Sequence, residues 1–107
     1  MTARTNRPGD RMVVRLSDDL DLAVRESLRL AFQPLVAPTE AAVDVSAVGF
    51  ADTTLLNAIV RLVRQRRAFG NHLPPRFLGM RASIRRLLAI TNVDRLVAFP
   101  ADERAAD

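Results

Sequence analysis

The stretch Val43-Asp44-Val45-Ser46-Ala47-Val48-Gly49-Phe50-Ala51-Asp52-Thr53-Thr54 decides the fold. Its first part, from Ala41 to Ser46, reads as a strand, because Val43 and Val45 share one face and β-branched side chains suit a pleated, half-buried surface. Val48-Gly49-Phe50 leads out of that strand. Asp52 or Thr53 then stands where a helix needs its cap, since a short side-chain oxygen there accepts a hydrogen bond from the free amides of the first turn. Behind the cap, Leu55, Leu56, Ile59, Val60, Leu62 and Val63 share a broad apolar face, while Asn57, Arg61, Arg64 and Gln65 take the opposite side. Gly70-Asn71 ends the helix, because glycine accepts the left-handed backbone of a helix C-terminus without steric penalty.

Working outward, the same alternation repeats. Upstream, Met12 to Leu16 reads as a strand and Ser17-Asp18-Asp19 as a turn. Leu20, Val24, Leu28, Ala31 and Leu35 then recur at helical spacing, with Arg25 and Arg29 on the polar side, until Pro34 ends or kinks the helix. Downstream, Pro74 and Pro75 precede a third strand, Arg76 to Met80, where prolines are tolerated only at the start. Ser83 to Ile90 follows as a helix with Ile84, Leu87 and Leu88 inward, and Leu96 to Phe99 as a last short strand. The prediction is an α/β domain with a mixed, mostly parallel sheet of about four strands and three to four helices. It occupies residues 11–99. Residues 1–10 are polar, carry Pro8 and Gly9, and are predicted to form a mobile arm; 100–107 are predicted to be a polar tail. With no strand ahead of Arg11, an open sheet edge would allow a second copy to pair and form a homodimer.

Composition narrows the chemistry. The 107 residues include no cysteine, which removes disulfides, thiol nucleophiles and thiolate metal sites. No segment approaches the ~18 continuous apolar residues of a membrane span, and the N-terminus lacks a signal-like apolar stretch, so a cytoplasmic protein without membrane insertion is expected. The net charge is +4, and all sixteen basic residues are arginine. They are scattered, with no aromatic residues among them to act as a stacking platform, so nucleic acid is not an expected partner. The densest run, Arg61, Arg64, Arg66 and Arg67, reads as a solvated helix face, with Arg66 near the apolar margin laying its stem over the core.

No constellation for catalysis emerges. Asp18, Asp19 and Asp21 resemble half of a calcium loop, but the glycine and later glutamate of that loop are missing, and turn and cap duties explain them better. Asp19 with Asp52 lacks a nucleophile or base, and the single histidine, His72, follows a Gly-Asn turn. Gly49 and Gly79 belong to no phosphate-binding loop. The reading is a protein that is not an enzyme, with no catalytic residue, metal or cofactor.

Three stretches resemble the STAS family, and within it the bacterial anti-sigma-factor antagonists. The stretch quoted first is similar to the family's strand and turn ending Phe-x-Asp-Ser-Ser/Thr. Leu16-Ser17-Asp18-Asp19-Leu20-Asp21 looks like its early acidic turn, and Gly79 to Leu96 like its closing helix. The resemblance implies a domain that binds an anti-sigma factor, often a protein kinase of the ATP-binding type, and so frees a sigma factor. It places the phosphoacceptor of that kinase at Thr54. It assigns partner binding to Asp19, Asp21, Asp52, Thr53, Thr54, Leu55 and Asn57. STAS domains also serve as docking subunits of transport or stress-signalling assemblies, which is the alternative function. Leu55 and Asn57 stand where the family has glycines, and Thr91-Asn92 replaces a Thr-Gly turn. Leu55 is thereby expected to put a branched side chain where a partner backbone approaches.

Overall fold

Alternating burial in three of the strands builds one sheet. The computed structural model describes residues 1–100. Four strands, β1 (Thr2–Asn6), β2 (Arg11–Leu20), β3 (Glu40–Ala51) and β4 (Arg76–Leu78), lie in that order across the sheet. The β1–β2 pair is antiparallel; β2–β3 and β3–β4 are parallel. Three helices, α1 (Arg25–Phe32), α2 (Thr53–Phe69) and α3 (Ala82–Ile90), alternate with the strands. Along β2, Val14 and Leu16 are buried while Arg15 is exposed; along β3, Val43 and Val45 are buried. Leu55, Ile59 and Leu62 of α2 pack into the same core, and Phe32 meets Phe77 edge-on at 6.5 Å. The opposite face of the sheet carries polar side chains, with Arg15 paired to Asp44 at 3.6 Å.

Four expectations from the sequence are corrected. Residues 2–6 are not an arm but β1, registered from Thr2 opposite Ser17 to Asn6 opposite Val13. All five residues are exposed, so the strand carries no apolar signature; backbone pairing with β2 forms it, and Met1 before it packs on the core. The β2 edge that seemed open to a second copy is therefore occupied. Ser17-Asp18-Asp19 is not a turn but the bulged end of β2, with Asp18 at φ 67°. The first helix is broken into a 3₁₀ turn at Leu22–Val24, α1, and a 3₁₀ turn at Gln33–Leu35 that accommodates Pro34. The last strand shrinks to one bridge, Arg76 with Ala98, after a 3₁₀ turn at Val93–Leu96. The expected tail lies, from residue 101 on, outside the described residues.

Local chemistry sets the ends of α2. The Asp52 carboxylate accepts a hydrogen bond from the Thr54 amide at 2.8 Å, and Gly70 closes the helix at φ 106°. Near the C-terminus, Arg66 is not a stem lying over the core margin but a wholly buried side chain, 1% exposed. Its guanidinium donates to the carbonyls of Leu35 (2.7 Å), Pro38 (2.9 Å), Thr39 (2.9 Å) and Leu73 (3.0 Å). The Asn71 amide adds bonds to Val36 and Ala37 at 2.8 and 2.9 Å. The segment entering β3 and the segment leading to β4 are thus both tied to α2. The burial holds the Arg66 guanidinium below its ordinary basicity.

Two substitutions test this architecture. Arg66→Met keeps an apolar stem but strands four carbonyls, so urea denaturation should show a loss of about 3 kcal/mol or more; an unchanged midpoint would contradict the clamp. Gly79 sits at φ 70°, and a Cβ there would lie 2.6 Å from Ser46 Cβ. Gly79→Ala should cost about 1–3 kcal/mol in the same assay.

Candidate docking surface

The candidate residues gather where β2 and β3 run out and α2 begins. Between Arg15 and Leu20 the partner of β2 advances by two extra residues on β3: Arg15 faces Asp44, Ser17 faces Ala47, Asp18 faces Val48 and Leu20 faces Ala51. These bulges break the alternation of β3. The Asp44 carboxylate holds the first of them, accepting from the Ser46 amide at 2.9 Å and its hydroxyl at 2.7 Å. The second turns Phe50 outward, 51% exposed, although strict alternation would put it inside with Val48. The Asp52 amide then donates to the Leu20 carbonyl at 3.3 Å, closing the junction.

Around this junction lie three of the carboxylates named from sequence. Asp19 is exposed, and its Oδ1 would lie 3.3 Å from a Cβ built on Gly49, so the two bulged strands meet there. Asp21 caps the 3₁₀ turn before α1 through the Ala23 amide at 3.1 Å. Asp52 caps α2. Thr53, the first helical residue, stands in solvent, whereas Thr54 is only 6% exposed. Asn57 is exposed one turn further along. Leu55 does not belong to this surface: it is fully buried in the core and cannot touch a partner, because the helix turns it inward with Ile59 and Leu62. The glycine-to-leucine departure therefore adds core packing and leaves the surface unobstructed. Likewise Asn92, at φ 62°, adopts the left-handed backbone that a glycine would otherwise supply.

A groove of about 390 Å³ runs between α1 and α2 from this junction. Thr53, Thr54 and Asn57 line one end; Phe32, Ala58 and Leu62 supply apolar wall; Arg25, Glu26, Arg29 and Arg61 supply charge. Arg29 binds Glu26 through two nitrogens, with Nε 3.1 and 3.0 Å from the two carboxylate oxygens. That hydrogen bonding, aided by the charges of Arg29, Arg25 and Arg61, holds the Glu26 carboxyl below its ordinary value of 4.5. Sequence reading missed this groove, since only the packing of α1 against α2 brings the two arginine sets together. It also missed Phe50 and the exposed Leu22, which flank the junction and whose outward placement comes from the bulge and the 3₁₀ turn.

The chain belongs to the STAS family: the family model described as "Mlab, STAS domain" matches residues 3–98. No curated protein matches the sequence. Among solved structures, an anti-sigma factor antagonist from Mycobacterium paratuberculosis is similar at a TM-score of 0.80 and 18% identity, over 98% of this chain and 91% of that one. SpoIIAA, an anti-sigma factor antagonist, in its unphosphorylated form is similar at a TM-score of 0.70 and 16% identity, over 99% and 96%. The phosphorylated form of SpoIIAA, a Bacillus cell fate determinant, gives a TM-score of 0.68 at 16% identity, over 99% and 97%. These proteins share the fold of this chain.

The Glu26–Arg29 pair gives a pH prediction. Because the folded carboxyl titrates below its unfolded value, its contribution is present at neutral pH and is lost as pH falls through the lowered folded value. A ¹³C-detected titration should place the Glu26 carboxyl below its ordinary value, and Arg29→Gln should move it upward. A Glu26 titration left unchanged by Arg29→Gln would refute the pairing.

Proposed function

We propose that this chain is a STAS docking module of the anti-sigma-factor-antagonist kind. It binds an anti-sigma factor, a protein kinase of the ATP-binding type, through the junction of β3 and α2, and so releases a sigma factor. One observation supports this reading above the others. At the strand ends of a STAS fold, exposed Leu22 lines a groove with Thr53, and exposed Phe50 lies on the bulged end of β3 between the register of Asp19 and the cap Asp52. Apolar anchors ringed by polar groups are what a specific protein interface requires, and no step of chemistry accompanies them. Thr54 is the proposed phosphoacceptor. Being 6% exposed, it becomes accessible when the first turn of α2 opens, and helix ends open at low free-energy cost. A phosphate there adds about 1.5–2 negative charges beside Asp52, against a partner surface fitted to a neutral hydroxyl.

A second reading keeps the same family membership: a subunit of a transport or stress-signalling complex that acts purely by docking. The two readings differ in the partner and in the role of Thr54.

The test is titration against the anti-sigma kinases encoded in the same genome, with and without ATP. Tight binding is expected, and Thr54→Glu should weaken it about a hundredfold, about 2.7 kcal/mol. After incubation with kinase and ATP, mass spectrometry should locate one phosphate, lost in Thr54→Val and retained in Thr53→Val. The opposite pattern would move the acceptor to Thr53. Absence of binding to every such kinase would overturn the antagonist reading in favour of the docking subunit.

A further inference from the structure

We propose that the groove between α1 and α2 is a second docking site, which takes an acidic amphipathic segment of a protein partner. The inference deepens the docking reading above and rests on it for the nature of the partner. Its basis is a charge imbalance in one concave surface. Three guanidinium groups, Arg25, Arg29 and Arg61, act on a single carboxylate, Glu26, which is depressed by all three. Glu26 is committed to Arg29. Among the described residues the guanidinium groups of Arg25 and Arg61 make no hydrogen bond or close ion pair and act on Glu26 only through their charge. They reach the groove from opposite walls, Arg25 from α1 and Arg61 from α2.

Two cations facing across a groove repel each other, and an incoming carboxylate relieves that repulsion. The groove also has apolar surface for a neighbouring side chain, from Leu22, 67% exposed, and the half-buried Ala58, while Phe32 and Leu62 beneath are buried. Arginine above an apolar floor selects a segment that alternates carboxylates with aliphatic residues, as a helix laid in a groove does. A polynucleotide is the poorer fit. Glu26 sits among the arginines, and Phe32 is buried and offers no face for base stacking. The groove shares Thr53 and Thr54 with the junction, so one partner can span both.

The probe is a short synthetic peptide of glutamate and leucine in helical alternation, titrated into ¹⁵N-labelled protein, with the lysine-for-glutamate peptide alongside. Shifts are expected at the amides of Arg25, Asn57, Arg61 and Gln65 with the acidic peptide only. Arg25→Glu/Arg61→Glu should weaken binding at least about tenfold, and the milder Arg25→Gln/Arg61→Gln less, both variants keeping the parent circular dichroism and melting temperature. Equal binding of the two peptides, shifts confined to other surfaces, or unchanged affinity in the charge-reversed variant would each overturn the proposal. This test does not use the anti-sigma kinase. Failure here with kinase binding intact removes only the groove; failure of kinase binding with peptide binding intact removes only the antagonist reading.

Discussion

A buried guanidinium without a carboxylate partner organises this molecule. Arg66 gives four hydrogen bonds to the carbonyls of Leu35, Pro38, Thr39 and Leu73. Those carbonyls belong to the two loops that deliver the chain into β3 and toward β4. Each loop would otherwise bury backbone acceptors without donors, at the cost of their desolvation. One planar fork answers for both, which a flexible ammonium could not do with the same geometry. With its C-terminal end tied down in this way and its apolar face packed on the sheet, α2 is held in place. Its N-terminal turn, where Asp52, Thr53 and Thr54 lie, is thereby presented at the end of β3.

The second constraint is the pair of extra residues in β3. A regular strand would have kept Phe50 on the inner face and ended flush with β2. The bulges, one held by Asp44 and Ser46, twist the strand end outward and expose Gly49 and Phe50 beside Asp19. Gly79 accommodates the same feature from β4, since its missing Cβ leaves room for Ser46. The candidate docking surface is thus produced by irregularity at the sheet end, while the regular part of the sheet supplies rigidity. The groove adjoining it comes from α1, a short helix whose polar arginines face those of α2 because their apolar sides share one core.

Membership of the STAS family and the likeness to the solved structures concern the fold. The fold is common to proteins of very different sequence, at 16–18% identity for the structures described. In this chain the surface at the strand ends carries carboxylates and hydroxyls together with exposed Leu22 and Phe50, and continues into an arginine-rich groove.

Much of this was legible in the residues. The order of strands and helices, the cap at Asp52, the stop at Gly70 and the inward face of α2 follow from periodicity and from side-chain hydrogen bonding to nearby amides, which are local effects. The motif through Thr54 likewise named the family. Tertiary structure decided the rest. That polar residues 2–6 become a strand depends on the neighbouring edge of β2. That Asp18 and Asp19 extend β2 rather than turn depends on the register with β3. That Leu55 is core, Thr54 nearly so and Phe50 exposed depends on how far the bulges rotate the chain. Arg66 lies in a charged run, and only the convergence of two distant loops of carbonyls makes its burial favourable. Local patterns report what a segment prefers; which groups meet across the chain is set by packing, and no single stretch contains that information.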